Sequence, residues 1–437
     1  MVLSPVRLDA EREARIPPAP GPHAGTDRCP GALEVHQADD GGLVRVRVPG
    51  GMLAASTLAS MAAWAEELGN GRIELTVRGN LQLRGIASGA EGELASRLAA
   101  HGLLPSPAHD RARNVMASPL SGRDGRGAVD VRPLVGELDR GLCASPELAA
   151  LPGRFLFALD DGRGDVAGAD ADAAVLGLPG GRVALLLGGL DTGLRSPVVS
   201  AVPTLLAVAA AFLRLRPDER TWRVAELPGG PLTLLDALPT LMTGAPPTHP
   251  RATPRDLPAK PARTPVGPID QTDGRVALAV VVPLGELTPD RCRMISARAG
   301  GELVLMPGRG VLLPDLTPGS AGPVARALAS AGLIVDPGSP LLGVSACTGR
   351  PGCAKALADV RADAALGATG PRAAGDGPAL PVHWSGCGRR CGRPTGPVVD
   401  VIADLEGYQV FCDDRPVTAG ADARSAHASA AGARWSR

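Results

Sequence analysis

Hydrophobic positions along the chain show two kinds of spacing, one typical of strands and one typical of helices, and the two kinds follow one another in a regular order. In residues 43–49 (LVRVRVP) apolar and polar side chains alternate, which indicates a half-buried strand. A strand pattern over 73–84 and a helical pattern over 93–104 follow. Between the two strand patterns, apolar residues recur at spacings of three and four, as on one face of a helix. These residues are Leu58, Met61, Ala65 and Leu68. Together the segments predict a unit of the order β-α-β-β-α.

The same order of elements occurs a second time further along the chain. The repeated elements are a strand at 276–283, a helix at 286–301, a strand pair at 302–313 and a helix at 323–334. From Ile73 and Leu303 to Leu104 and Ile334, the two copies align without a gap at an offset of 230. Repetition of a whole supersecondary unit predicts two related half-domains that form a pseudo-symmetric pair.

Alternating strands and helices outside the repeat predict a mixed α/β (α+β) architecture. Strand patterns at 155–159 and 183–189 and a helix at 203–214 separate the copies, and strand patterns at 382–384 and 397–405 follow the second. Eight prolines in 244–268 predict an extended linker, and the small or polar chain ends predict loose tails. The predicted boundaries are a tail at 1–30, a half-domain at 31–107, an α/β domain at 108–243, the linker at 244–268, a second half-domain at 269–340, an α/β domain at 341–418 and a tail at 419–437.

Composition narrows the class of protein further. Positive and negative side chains balance at 45 each, so the basic field of a nucleic-acid binder is missing. No stretch approaches 18 uninterrupted apolar residues, and the first residues lack the apolar middle of a secretory signal. We therefore expect a cytoplasmic protein with neither nucleic-acid nor membrane partners. Eight cysteines in a reducing compartment are expected to be metal ligands, reactive thiols or core residues rather than disulfides.

Four of these cysteines form two close pairs in glycine-rich loops. Cys347 and Cys353 are separated by five residues, and Cys387 and Cys391 by three. Paired zinc ligands are usually two to four residues apart, so the first pair argues against a zinc ribbon, whereas a [4Fe-4S] cluster tolerates the spacing. The alternative is four unrelated buried thiols. For the other cysteines an ordinary structural role is expected; they are Cys29, Cys143, Cys292 and Cys412.

Polar side chains concentrate in the first copy of the repeat. If 73–84 is extended, its even positions share one face of the sheet; they include Arg78, Asn80, Gln82 and Arg84. In the second copy the matching positions are mostly apolar or glycine, which suggests that this copy is scaffold. Arginine side chains bind carboxylates at two points, so an anionic ligand is predicted, with a solvated sheet face as the alternative. Further polar candidates are Arg113, Asn114 and Arg154, which on their own indicate only loop polarity.

In this order the motifs resemble the nitrite and sulfite reductase superfamily. The segment ELTVRGNLQLRG (74–85) is similar to the tetrapyrrole-contacting strand pair of that superfamily. The segments ARNVMASPLSG and LPGRF are similar to two of its anion-contacting segments, and HWSGCGRRCGRP is similar to one of its cluster loops. The resemblance covers residues from about 40 to 410. It implies two ferredoxin-like half-domains and two siroheme-reductase-like α/β domains. It also implies a [4Fe-4S] cluster held by Cys347, Cys353, Cys387 and Cys391, with a tetrapyrrole bound by the Arg, Asn and Gln side chains named above.

Reductases of this superfamily use siroheme, and they use lysines in an LPRKFK-like segment to bind their small anion. Here the segment is LPGRFLF, in which Arg154 and Leu156 stand in place of the two lysines. A shorter branch, the precorrin-3B synthases of aerobic cobalamin biosynthesis, is more similar. That resemblance implies an iron–sulfur monooxygenase that hydroxylates precorrin-3A with O2 and forms a γ-lactone, using electrons from an unidentified donor.

Two other functions stay open at this point: a siroheme-dependent sulfite or nitrite reductase, and a non-catalytic iron–sulfur carrier or sensor. The precorrin-3B synthase branch also implies a mononuclear non-haem iron. The seven histidines supply no 2-His-1-carboxylate pattern for it, and no catalytic residue is assigned.

Overall fold

The computed structural model describes Gly25, Asp27 and residues 29–241, 264–366, 380–394 and 396–434. These residues fall into two compact units. Unit 1 contains Arg111–Ser121 and the described residues from Arg126 to Leu241, together with those before Pro30. Unit 2 contains Pro30–Asp110, Gly122–Gly125 and the described residues from Thr264 onward. Most of the predicted tail at 1–30 and of the predicted linker at 244–268 lies outside the described residues.

The mixed α+β class is confirmed, since strands and helices alternate through both units. The strands are β1 His36–Ala38, β2 Gly41–Val46, β3 Met52–Ala54, β4 Ile73–Leu75, β5 Leu81–Ile86, β6 Val115–Ala117, β7 Phe157–Asp160, β8 Ala173–Leu178, β9 Arg182–Leu187, β10 Leu190–Pro197, β11 Gly267–Asp270, β12 Val276–Val281, β13 Glu286–Leu287, β14 Glu302–Met306, β15 Gly310–Leu316, β16 Val344–Ala346, β17 Val382–Ser385, β18 Val399–Ala403, β19 Tyr408–Cys412 and β20 Arg415–Ala421. The helices are α1 Ala55–Leu68, α2 Glu91–Ala100, α3 Arg132–Ala144, α4 Ala201–Leu215, α5 Gly230–Leu241, α6 Pro289–Arg298, α7 Pro318–Ser330, α8 Val360–Ala365 and α9 Ala423–Ala433.

The two halves of the repeat exchange a strand. The first sheet has the order β1-β2-β5-β4-β13 and the second has the order β11-β12-β15-β14-β3, so each half places its third strand at the edge of the other sheet. The chain makes this crossing at Gly50 and Gly51 in the first copy and at Leu284 and Gly285 in the second, all with positive φ. The predicted pair of half-domains is therefore one interlocked structure.

A single apolar core joins the two halves. Helices α1 and α6 pack against each other, and all four helical residues predicted to face inward in the first copy are buried. Val44 and Leu81 of the first sheet and Val280 and Val311 of the second belong to the same cluster of buried side chains. Burying apolar surface in a shared core makes the stability of each half depend on the other.

Unit 1 is built on a sheet of order β10-β9-β8-β7-β6, in which β6, β7 and β8 are parallel and the other pairs antiparallel. By length and composition, one described segment, Val198–Leu215, is apolar enough to cross a membrane, but core helices share that character. Here Leu205, Val208 and Phe212 are buried, and the Phe212 ring lies 5.0 Å from that of Phe155.

The last domain, within unit 2, repeats this design. Its sheet has the order β16-β17-β18-β19-β20, with three parallel strands followed by two antiparallel ones. The predicted loose tail at 419–437 is wrong for the residues described there. Strand β20 continues to Ala421, and α9 buries Ala426, Ala430 and Ala433 in the domain core. A stripe of alanines allows close packing, although its composition looks like low complexity.

The linker ends earlier in the structure than the sequence predicts. Strand β11 begins at Gly267 and pairs with β12, so the last two residues of the predicted linker belong to the second half-domain. The antiparallel pairing satisfies backbone groups that the proline-rich composition had suggested were solvated.

Candidate functional site

Both cysteine loops leave the same edge of the last sheet. Strands β16 and β17 are parallel neighbours, with Ala346 opposite Trp384. Cys347 follows β16 directly, and Cys387 comes two residues after the end of β17. Because parallel strands end at a common edge, the fold brings the two loops together. A backbone hydrogen bond from the Leu357 N–H to the Gly386 carbonyl, 2.7 Å long, links them.

The sulfur of Cys347 interacts with the second loop. The Gly386 N–H donates to the Cys347 Sγ at 3.2 Å. Burial raises the pKa of the Cys347 thiol, N–H groups of Gly386 and Gly349 act against the rise, and the nearby thiols of Cys391 and Cys387 add to it. Soft thiolate donors with backbone N–H groups directed at sulfur fit an iron–sulfur cluster. Cys353 and Cys387 are partly buried, and Cys391 is exposed.

Arg361 of α8 ties the start of the first loop to both half-domains. Its Nε donates to the Cys347 carbonyl at 3.2 Å. Its Nη2 lies 2.7 Å from Glu74 of the first half, and its Nη1 lies 3.4 Å from Glu286 of the second. The guanidinium therefore holds a cysteine backbone against the two carboxylates.

Arg84 supports the other end of the same loop. Its Nε and Nη2 donate to Asp40 at 3.0 and 2.8 Å, and Nη2 also reaches the Gly352 carbonyl at 3.3 Å. The neighbouring Asp39 accepts the Ala354 N–H at 2.6 Å. Arg84 is a predicted ligand residue; in the structure its buried guanidinium holds Gly352 before Cys353, while Asp39 holds Ala354 after it.

The other polar residues of the first hairpin divide into two groups. Residues 76–80 form the turn between β4 and β5, so Arg78 and Asn80 do not lie on the strand face that the alternation predicted. Asn80 is buried and accepts the Val48 N–H at 2.9 Å. Gln82 does lie on a strand face, where it accepts from Arg45 at 2.5 and 3.0 Å and donates to Glu74 at 3.2 Å. Arg78 is partly exposed, at the tip of the turn.

His383 of β17 stabilises the second cysteine loop by a hydrogen bond. Its Nε2 lies 3.1 Å from the Cys391 carbonyl and its Nδ1 lies 2.8 Å from the Ser345 hydroxyl. A carbonyl only accepts, so Nε2 carries the proton and the Ser345 hydroxyl donates to Nδ1. Burial, with repulsion from Arg309, lowers the pKa of His383 to about 4, so the ring is neutral at pH 7.

The remaining predicted ligands belong to unit 1. Arg113 is buried and forms a two-point ion pair with Asp139, at 2.7 and 2.9 Å. Asn114 is fully buried and donates to the Phe155 carbonyl at 3.1 Å, so it holds β6 beside β7. Arg154 is exposed, and its guanidinium carbon lies 5.3 Å from the centre of the Trp222 ring.

Several residues at the site were missed by the sequence reasoning. Arg361 and His383 carried no spacing signal, because their partners are distant in the chain. Arg309 occupies the turn of the copy interpreted as scaffold.

A second iron site has no fitting donor set among the described residues. The one group of three close metal-binding side chains found there is Asp160, Asp161 and Asp165 in unit 1. Asp160 accepts four backbone N–H groups between 2.8 and 3.0 Å. Asp161 pairs with Arg163 at 2.7 Å. These carboxylates stabilise their own loop, and we assign no mononuclear iron to them.

Comparison with known proteins identifies the fold and its relatives. Residues 36–101 match the nitrite/sulfite reductase ferredoxin-like half domain. This match covers the first copy of the repeat, including the hairpin that contacts the first cysteine loop. The structure superposes on that of the NirA protein of Mycobacterium tuberculosis with a TM-score of 0.68, at 21% identity, covering 90% of this chain and 80% of that one.

The sequence is 29% identical over 395 residues to a precorrin-3B synthase of Sinorhizobium sp., covering 87% of this chain and 81% of the relative. The chain therefore contains a nitrite/sulfite reductase ferredoxin-like half domain, and over most of its length it is similar to a precorrin-3B synthase. The similarity to reductases is more local. A ferredoxin–nitrite reductase of Synechococcus elongatus is 34% identical over 127 residues, which cover 28% of this chain and 25% of the reductase.

Proposed function

We propose that the chain is a precorrin-3B synthase, an O2-dependent monooxygenase that hydroxylates precorrin-3A with γ-lactone formation. Similarity to a precorrin-3B synthase extends over most of the chain, whereas the reductase match covers about a quarter of it. The structural observation that carries the proposal is a contact between the polar hairpin of the first half-domain and the first cysteine loop. Arg84 of the hairpin donates a hydrogen bond to the Gly352 carbonyl of that loop.

In this proposal Cys347, Cys353, Cys387 and Cys391 hold a [4Fe-4S] cluster. The bound cluster supplies electrons one at a time, and the overall reaction puts one atom of O2 into the substrate and releases the other as water. The protein's own groups set the ligand loops: Arg361 fixes Cys347, Arg84 and Asp39 fix the residues around Cys353, and His383 fixes Cys391.

Binding of a polycarboxylate tetrapyrrole requires cations that are open to it. Among the predicted ligands, Arg78 at the hairpin tip in unit 2 is partly exposed, and Arg154 in unit 1 is exposed. Arg113 is engaged with Asp139, and Gln82, Asn80 and Asn114 bond to neighbouring protein groups. We therefore propose that these four act as structural supports.

The reductase alternative is less compatible with the segment around Arg154. Leu156, which stands in place of a reductase lysine, is fully buried in the core of unit 1. Its side chain has no proton to give, and an arginine stays protonated near pH 7. Reduction of sulfite or nitrite by six electrons consumes protons, whereas a carboxylate-rich substrate needs only fixed positive charge. The proposed partners are thus the tetrapyrrole, O2 and an electron donor, in the cytoplasm.

The test is turnover of precorrin-3A by anaerobically purified protein that is then exposed to 18O2 with a low-potential reductant. The expected product carries one labelled oxygen atom, and the visible spectrum before turnover shows a broad iron–sulfur shoulder. Strong chlorin bands from extractable siroheme, with sulfite or nitrite reduction, would establish the reductase instead. Iron–sulfur content with neither activity would favour the carrier.

A matched pair of variants tests the ligand set separately. Cys387→Ser should lose most iron and sulfide, because one of four ligands is removed. Cys412→Ser should retain them, since Cys412 lies at the end of β19 and its Sγ contacts the Ala433 carbonyl at 3.7 Å. Equal iron and sulfide in both variants would show that Cys387 is not a ligand.

A further inference from the structure

The turn of the second hairpin places an arginine beside the second cysteine loop. Arg309 lies between β14 and β15 and has a φ of +70°, a conformation that side-chain-bearing residues rarely adopt. The turn adjoins that of the first hairpin, since the Gly308 N–H donates to the Val77 carbonyl at 3.1 Å. Arg78 and Arg309 therefore belong to neighbouring turns, one from each half-domain.

A glycine opens the path along which the Arg309 side chain runs. A Cβ on Gly285 would lie 2.5 Å from the Arg309 Cδ and 3.1 Å from its Nε. At the far end, Nη2 lies 4.0 Å from the position that a Cβ on Gly392 would take, and the His383 Cε1 lies 3.8 Å from the same point. The guanidinium therefore reaches the loop that contains Cys391.

No carboxylate among the described residues forms an ion pair with Arg309. Among the described residues, no ion pair or side-chain hydrogen bond involves its guanidinium. Burial lowers the pKa of Arg309, repulsion from Arg361 lowers it further, and Glu74 opposes the change. The Glu74 oxygens already serve Arg361 at 2.7 Å and Gln82 at 3.2 Å. A partly buried charge of this kind is costly unless an anion completes it.

We infer that Arg309 binds a carboxylate of the anionic substrate, so that the second half-domain contributes to the ligand site and is more than scaffold. This inference rests on the proposed function, because it takes the polycarboxylate tetrapyrrole as the ligand. The left-handed backbone and the unpaired guanidinium are both unfavourable in the free protein, and both are explained if the side chain is held ready for a carboxylate. Two-point binding by the guanidinium would then fix one edge of the macrocycle next to Cys391.

The test is a fluorescence titration of the anaerobic holoprotein with uroporphyrin, a polycarboxylate tetrapyrrole. Arg309→Gln should weaken binding by about tenfold to a hundredfold, as expected for a lost charge-assisted hydrogen bond. The affinity of Arg309→Lys for uroporphyrin should lie between those of Arg309→Gln and the wild type, because the charge remains and the two-point geometry is lost. Arg298→Gln, at an exposed arginine that ends α6, is the matched control and should bind as the wild type does.

Iron content, sulfide content and the cluster reduction potential should be the same in Arg309→Gln and the wild type. A shifted potential with unchanged uroporphyrin affinity would overturn the inference and assign Arg309 to the charge of the cluster. Unchanged affinity in both Arg309 variants would also overturn it, while leaving the proposed function intact if 18O2 turnover persists. Failure of the wild type both to bind uroporphyrin and to turn over precorrin-3A would overturn the two proposals together.

Discussion

Arg84 forms a two-point ion pair with Asp40, with Nη2 2.8 Å from Oδ1 and Nε 3.0 Å from Oδ2, and the same Nη2 donates to the Gly352 carbonyl. The side chain is 4% exposed and that of Asp40 13%. Arg84, which the sequence suggests as a ligand contact, therefore stabilises the first cysteine loop through its hydrogen bond to Gly352.

Arg84→Met should make the cluster less stable. The substitution removes the guanidinium that donates to Asp40 and to the Gly352 carbonyl, at a cost on the order of 3 kcal/mol for a broken buried pair. Iron release to a chelator should be several-fold faster than in the wild type. Arg275→Met removes an exposed pair with Asp273 and should have little effect. Normal iron retention with weakened uroporphyrin binding in Arg84→Met would restore Arg84 as a direct ligand residue.

His383→Leu should loosen the second loop. The Cys391 carbonyl then loses the hydrogen bond from the His383 ring, which costs about 1 kcal/mol. We expect a lower melting temperature and faster loss of the cluster in air, measured by the decay of the visible absorbance. His383→Gln keeps an N–H donor and should recover part of the loss; if the two variants behave alike, the hydrogen bond to Cys391 has no role in cluster retention.

Asp165 should make the stability of the protein depend on pH. Burial raises its pKa from 3.8 to about 7, against the effect of the Ser118 hydroxyl. A carboxyl whose folded pKa is raised contributes stability below its unfolded pKa, and this is lost as the pH rises through the folded pKa. Stability from this group therefore falls between about pH 4 and pH 7, by a few kcal/mol at about 1.4 kcal/mol per pKa unit.

Asp165→Asn should remove that fall and raise the denaturation midpoint of unit 1 at pH 8, because the amide oxygen still accepts from Ser118. Glu147→Gln, at a 57% exposed carboxylate, should leave the pH profile as in the wild type. A wild-type profile that is flat from pH 4 to pH 8 and is matched by Asp165→Asn would show that Asp165 is already ionised throughout.

Gly51→Ala should disrupt the strand exchange between the two halves. A Cβ at Gly51 would lie 2.0 Å from the Leu305 carbonyl oxygen, and its φ of +72° disfavours any side chain. We expect a loss of several kcal/mol in denaturant unfolding, or failure to fold. Gly92→Ala in α2 meets nothing within 4 Å and should be neutral or stabilising by up to about 1 kcal/mol.

The repeat could be predicted from the sequence because its signal is local. Leu58, Met61 and Ala65 define a helix face by spacing alone, and all three are buried. The exchange of β3 and β13 could not be predicted, since those strands are three and two residues long and pair with partners more than two hundred positions away. Strand pairing over such distances is selected by the whole core and leaves no local pattern.

The sequence by itself determined the kinds of elements, their repetition, and four cysteines whose spacing suits a cluster. It did so because side-chain periodicity and short spacings are properties of neighbouring residues. Only the tertiary structure decided which polar side chains are available to a ligand. Arg84, Arg113 and Asn114 are engaged by partners distant in the chain, and Arg309 is left without one among the described residues. Whether a charge is paired depends on what the fold packs against it, and that information is absent from the order of residues around it.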